Sequence, residues 1–286
     1  MRFAHLAFAL IAASIAGGSQ GADSLPSELD RVDRRAELIG WEAVGRLDIA
    51  GGTTCTGALI EQDIVLTAAH CVIDDAGRKI DADKIIFRAG LRNGEFIAAS
   101  KGRAVAYAAG FTQESDGQIS PDNIARDVAL IQLDKPVARA LILPFPIHRV
   151  RTSRGELMVA SYGRGRNATL SVQRACNVLD KYRSGVMTFD CDITYGSSGS
   201  PVLAYDGGRL AVVSVVSALR QEGSKKIGLG MDILDIIPVL RRELALGSPQ
   251  LPPKPVVTRR ISVGAAKSDT KIGARTVGGA KFLSSN

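Results

Sequence analysis

From Trp41 onward the chain is written as short apolar runs broken by glycine, and that pattern leaves few ways to fold. The runs cover residues 41–49, 54–60 and 63–71, then 84–88, 128–133 and 201–205. Many short strand-like segments without helices alternating between them point to a β sandwich or barrel rather than a parallel α/β sheet. With 286 residues, 45% of them hydrophobic and 23% charged, the chain can hold one large or two small domains with real cores. Disorder is excluded for most of it.

The two ends stand apart from this pattern. Met1-Arg2 leads into an apolar stretch from Phe3 to Ala13 and then small residues to Ala22, the three regions of a secretory signal peptide. The apolar run is too short for a comfortable bilayer span. Cleavage is expected after Ala16 or near Ala22, so residues 1–22 are read as signal, 23–37 as a polar leader or propeptide, and the mature protein as exported and soluble. Beyond Ser248, Pro249, Pro252, Pro253 and Pro255 end the fold, and residues 248–286 are expected to be a basic, disordered tail. Lys254, Arg259, Arg260, Lys267, Lys271, Arg275 and Lys281 face Asp269 alone there, so the tail carries nearly all of the net charge of +7. The body is close to neutral, which argues against a nucleic-acid-binding face. Such a tail suits weak electrostatic contact with anionic envelope surfaces.

Cys55, Cys71, Cys176 and Cys191 form an even set with no CxxC among them, which in an exported chain favours two disulfides over a metal site. Three pairings can be drawn. The most local, Cys55 to Cys71 and Cys176 to Cys191, closes two loops of about 15 residues, each worth roughly 3 kcal/mol in the chain-entropy model. No metal and no cofactor is expected.

Three places carry the residue types of nucleophilic catalysis. Gly196-Ser197-Ser198-Gly199-Ser200-Pro201 is a tight run of small residues in which Ser198 is the candidate nucleophile; taken alone it reads equally as a flexible loop. A serine hydroxyl needs a base within hydrogen-bond reach and backbone N–H groups placed for an oxyanion, and the glycines let the chain turn sharply enough to offer both. Of the three histidines, His5 belongs to the signal region and His148 to a proline-flanked connector, where a structural role is expected. His70 is followed by Cys71, whose disulfide would fix the backbone carrying the imidazole. Asp127 begins the apolar segment 128–133, where a carboxylate can be largely buried and then needs a partner such as an imidazole N–H. Asp122 and Asp134 lie in more polar, turn-like settings.

Leu66-Thr67-Ala68-Ala69-His70-Cys71, Asp127-Val128-Ala129-Leu130 and Gly196-Ser197-Ser198-Gly199-Ser200-Pro201 together resemble the trypsin-like serine peptidases of the chymotrypsin fold. The chain order His, Asp, Ser agrees with that family and disagrees with subtilisins and α/β-hydrolases. The resemblance covers residues 38–246. It implies an all-β protein of two antiparallel six-stranded β-barrels with a C-terminal α-helix, the first barrel in 38–142 and the second, with the helix, in 143–247. It also implies a serine endopeptidase acting on polypeptides, with Ser198 as nucleophile, His70 as proton carrier, Asp127 as its orienting acid, and the N–H groups of Gly196 and Ser198 as the oxyanion hole; a monomer is expected. A silent binding protein on the same fold and a hydrolase of small esters are the alternatives.

Departures from the family pattern are equally informative. The animal digestive enzymes carry an aspartate before the nucleophile that pairs with a newly cut N-terminus; here that residue is Ser197, so no such charge switch operates. The Ser-Gly-Ser-Pro ending and residues 55–60 look more like the bacterial branch that includes glutamyl endopeptidases, which would place the protein outside the cell or in a periplasm. For the substrate pocket, Asp192 lies at the offset where the family places an acid that binds Lys or Arg. Val216, two residues after Ser214, falls where an open pocket has glycine, and Val213 stands where glutamyl specificity uses histidine. Basic P1 side chains rank first on this reading, small aliphatic second and acidic last. Finally, residues 232–246 carry Ile233, Ile236, Ile237, Leu240 and Leu244 on one helical face, with Asp232 as N-cap and Gly247 as the stop.

Overall fold

A computed structural model describes residues 29–113, 119–149, 156–223 and 225–247, together with the backbone of two later strands. Residues 1–22, where a signal peptide is expected, and residues 248–272 lie outside the described residues.

Two closed six-stranded antiparallel barrels make up the body. After a two-residue strand β1 (Asp30–Arg31), the first barrel is built from β2 (Val44–Ile49), β3 (Thr53–Glu61), β4 (Ile64–Thr67), β5 (Ile85–Ala89), β6 (Ala98–Tyr107) and β7 (Ala129–Leu133). These close in the order β2-β3-β4-β7-β6-β5. The second uses β8 (Glu156–Ser161), β9 (Ser171–Lys181), β10 (Val186–Phe189), β11 (Pro201–Asp206), β12 (Arg209–Glu222) and β13 (Lys225–Met231). Its ring runs β8-β9-β10-β13-β12-β11, closed by the β11–β8 pairing. Closure leaves neither ring with an unpaired edge of its own, which is what short strands need to be stable.

Period-two burial explains why these residues form strands. Along β5, Ile85, Phe87 and Ala89 are buried while Ile86 and Arg88 face partly outward. Leu47, Leu59, Leu66, Phe87 and Leu130 fill the first barrel and are almost completely buried, each worth about 1.5–3 kcal/mol of burial. Leu157, Val159, Phe189, Val202 and Val216 do the same in the second. Both disulfides follow the most local pairing, Cys55–Cys71 and Cys176–Cys191.

Residues 29–37, the described part of the stretch expected to be a leader or propeptide, are docked on the body. β1 pairs with β9, Val32 is fully buried with its N–H on the Leu170 carbonyl, and Arg92 donates to the Asp33 carbonyl. At the other end β14 (Gly273–Val277) and β15 (Ala280–Ser284) form a hairpin, and β15 lies parallel on β12 from Ala218 to Gln221. Those ten residues fall in the stretch expected to lack structure; their backbone extends the second sheet instead.

The C-terminal helix α2 (Ile237–Leu246) is shorter than its apolar periodicity suggests. Pro238 stands in its first turn, and Asp232 caps a separate turn through the Leu234 N–H at 3.1 Å. Gly247 ends it with φ of 59°. The helix packs on β6 and β7, Ile233, Ile237 and Leu240 joining the first barrel's core, so the segment after the second barrel returns to the first. Glu243 is carried into that interface almost fully buried, and burial pushes its carboxyl above the usual glutamate range, with Lys79 opposing the shift. A carboxyl raised in the folded state favours folding at low pH and loses that advantage as pH rises through its folded value. Glu243→Gln is therefore expected to melt higher than wild type at neutral pH, the gap closing below about pH 4 where the unfolded carboxyl is also protonated; melting curves across pH 3 to 8 check this.

Candidate active site

Strand pairing brings His70 and Asp127 together. β4 and β7 are neighbours in register Thr67↔Ala129, so the residues just beyond Thr67 and just before Ala129 meet at one end of the barrel. After Thr67 the chain enters a single 3-10 turn, Ala69–Cys71, carrying His70, and the Cys55–Cys71 bridge ties that turn to β3. Asp127 follows α1 (Pro121–Ile124), which is capped by the Ser120 hydroxyl and braced by the Asn123 amide, whose oxygen accepts from the Thr112 N–H and whose nitrogen donates to the Thr112 carbonyl.

One Asp127 oxygen accepts from the His70 backbone N–H at 2.9 Å and the other lies 2.7 Å from His70 Nδ1. The two side chains are only 2% and 4% exposed. Burial pushes the Asp127 carboxyl up, but the imidazole, the Ser217 hydroxyl and the His70 N–H outweigh it and hold the group below the usual aspartate range. An ionised carboxylate can only accept, so the neutral imidazole keeps its proton on Nδ1 and presents Nε2 as an acceptor. Nε2 is buried and makes no hydrogen bond among the described residues.

The third donor to Asp127 is a residue the sequence does not single out. Ser217 Oγ donates to Asp127 Oδ2 at 2.6 Å. Ser214, chosen from the sequence as the pocket serine, is instead fully buried and exchanges hydrogen bonds with the Met231 backbone at 2.8 and 3.0 Å. The cause is a bulge: the β12–β13 register shifts between Val216 and Ala218, leaving Ser217 as the extra residue whose side chain is re-aimed. Val216 accordingly belongs to the second barrel's core, 2% exposed, and Leu219 stands two residues past the serine that binds Asp127.

Ser198 is held between the barrels. Its carbonyl accepts from the Thr56 N–H of β3 at 2.9 Å, and Gly199 donates to the Val216 carbonyl of β12 at 2.8 Å. The turn needs its glycines, since Gly196 and Gly199 have φ of 83° and 77°. A β-carbon on Gly196 would lie 2.5 Å from the Tyr162 carbonyl, and one on Gly199 would strike Thr67 and Thr56. The N–H groups of Ser197, Gly199 and Ser200 are all bonded to backbone carbonyls, whereas those of Gly196 and Ser198 donate to nothing among the described residues. Two unbonded N–H donors in one tight turn are the kind of groups that can stabilise an anion.

The other expected site residues divide. Asp192 is ion-paired with Lys226 at 3.2 Å, so a cation from this chain already meets the acid read as a receptor for basic side chains. His148 lies half exposed against Asp206, as a structural histidine does. His70 and the sulfurs of Cys55 and Cys71 lie within 4.8 Å of one another, but both sulfurs are spent in a disulfide and offer no thiolate for a metal.

Ser217→Ala is expected to cost about 1.5–3 kcal/mol at neutral pH, as loss of a hydrogen bond to a buried charge does. Because the Asp127 carboxyl is depressed on folding, its contribution is present above the unfolded pKa and lost as pH falls through the folded one, so the cost should shrink in acid. Urea titrations at pH 7 and pH 3 measure the difference.

Comparison with known proteins bears on the family and the fold. A model of the trypsin-like peptidase domain matches residues 55–212, more than half of the chain and a span holding His70, Asp127 and Ser198. The serine protease SP24D of Anopheles gambiae is 29% identical over 168 residues, 52% of this chain and 58% of that protein, so the chain spans little more than half of that relative's length. A solved structure of a Glu endopeptidase in complex with MPD superposes with a TM-score of 0.59 at 17% identity, covering 77% of this chain and 97% of that one, a likeness of fold. The chain belongs to the family of trypsin-like peptidase domains.

Proposed function

We propose that the protein is an exported serine endopeptidase that cleaves polypeptides through an acyl-enzyme. The observation carrying this reading is His70 Nε2, left as an acceptor by the Nδ1 bond to Asp127 and without a partner among the described residues, on the barrel whose Thr56 holds the Ser198 carbonyl. In the proposed sequence, Ser198 Oγ attacks the scissile carbonyl and its proton passes to Nε2. Asp127 stabilises the imidazolium so formed, and the N–H groups of Gly196 and Ser198 receive the oxyanion. The imidazolium then protonates the leaving amine. Water, deprotonated by the same Nε2, releases the acyl group and restores Ser198.

Export is supported by the two disulfides, which persist in oxidising compartments. No described helix is long and apolar enough to cross a membrane. Placement in the bacterial, glutamyl-endopeptidase-like branch rests on residues 55–60 and on the Ser-Gly-Ser-Pro ending.

Substrate preference is reordered by the contacts around the pocket. A basic P1 side chain would have to displace Lys226 from Asp192, and Leu219 rather than glycine stands two residues past Ser217. Small aliphatic P1 residues now rank first, basic second and acidic last.

A peptide library varied at P1, incubated with wild type, Ser198→Ala, His70→Ala and the double variant, tests the whole reading. Wild type should cut after small aliphatic residues, with kcat/KM falling about 10⁴- to 10⁶-fold in each single variant and no further in the double variant, because the residues act as a unit. Cleavage that survives Ser198→Ala sinks the proposal.

A further inference from the structure

The residue before the nucleophile is neutral, so something other than an ion pair with a chain terminus must hold it. Ser197 is fully buried, and its hydroxyl accepts from the Thr194 N–H at 3.2 Å and donates to Ser161 Oγ at 3.1 Å. Both hydroxyls also receive the guanidinium of Arg166: Nη2 lies 3.0 Å from Ser161 Oγ and 3.4 Å from Ser197 Oγ, while Nη1 donates to the Ser161 carbonyl at 2.9 Å. Arg166 reaches this position by folding back over Gly163, where a β-carbon would sit 2.6 Å from Nη2. Its neighbour Arg164 fastens the same loop to the next residue of the turn, donating from its backbone to the Tyr195 carbonyl at 2.6 Å and laying its side chain 4.0 Å from the Tyr195 ring centre.

We infer that Arg166 is a positioning residue, an internal cation that clamps Ser197 to β8 and so fixes the turn presenting the N–H groups of Gly196 and Ser198. The inference rests on the proposed role of those two N–H groups. Desolvation lowers the Arg166 pKa to about 10, with Asp192 opposing, which leaves the guanidinium charged at neutral pH. No carboxylate pairs with it directly among the described residues. Its hydrogen bonds are therefore spent on the two serines and one carbonyl that define the turn. Unlike a switch that waits for a cut N-terminus, this clamp is made as soon as the second barrel folds.

The test compares wild type, Arg166→Ala, Arg166→Lys and Ser197→Ala by amide hydrogen exchange and by steady-state kinetics on one peptide. With Arg166→Ala, exchange over residues 194–199 should rise while β4 and β7 keep their protection. kcat should fall about 10- to 100-fold, less than complete loss of an oxyanion donor, with KM within about threefold of wild type. Millimolar guanidinium should restore part of kcat to Arg166→Ala, an effect that a purely structural role would not give. Ser197→Ala, which removes the acceptor and leaves the arginine, should show the same exchange in milder form and serves if Arg166→Ala does not fold. Raised exchange in a protein whose wild type cuts no peptide supports the clamp and overturns the peptidase reading. Unchanged exchange over 194–199 with wild-type kcat per folded molecule, or an effect on KM alone, overturns the clamp.

Discussion

Thr56 is the point on which the site depends, because it binds both halves of the molecule at once. Its N–H holds the Ser198 carbonyl, its hydroxyl donates to the Gly196 carbonyl and accepts from the Tyr162 N–H, and its own carbonyl receives the Thr67 hydroxyl. Thr56 lies on β3 of the first barrel; the Ser198, Gly196 and Tyr162 groups it grips belong to the second, and the Thr67 hydroxyl braces it from β4, so three hydrogen bonds from one buried residue tie the turn to the barrel that carries the imidazole. Each is worth only about 1 kcal/mol in stability. Their larger effect is geometric, since a nucleophile and base held loosely lose most of the advantage of proximity.

Asp127 shows how burial can be made to serve chemistry. A carboxylate taken out of water is costly unless it is fully bonded, and Asp127 meets that cost with an imidazole, a hydroxyl and a backbone N–H. The same three bonds fix the imidazole tautomer and the angle at which Nε2 looks out. Each supplier comes from rigid structure: His70 from a turn closed by a disulfide, Ser217 from a bulge in the longest strand. On the proposed reading, the surroundings of Ser198 are organised in the same way, with Arg166 behind the turn and Thr56 in front of it.

Much of this was legible in the sequence because it is local. The runs around His70, Asp127 and Ser198 carry their chemistry within a few residues, and the alternation in β5 or the apolar run of β7 marks strands directly. Contacts that depend on register were not legible. Ser214 and Ser217 sit three apart in a valine-rich strand, and only the bulge decides which one meets Asp127. Lys226 reaches Asp192 from a partner 34 residues away, and Arg166 reaches Ser197 across 31; neither spacing carries a signal. β9 carries no clear strand signal in the sequence because Arg174, Asn177, Asp180 and Lys181 interrupt its apolar pattern. Apolar periodicity cannot mark the start of α2, since it continues through the Ile233–Ile236 turn that precedes Pro238.

What remains decisive is whether Ser198 is chemically activated by these surroundings. Folded protein treated with a fluorophosphonate, then digested and mapped by mass spectrometry, reads this at single-residue resolution. The account predicts one phosphonyl group per molecule, on Ser198, absent when His70 is replaced by alanine. Folded protein that takes up none, or takes it up on any other serine, would contradict it.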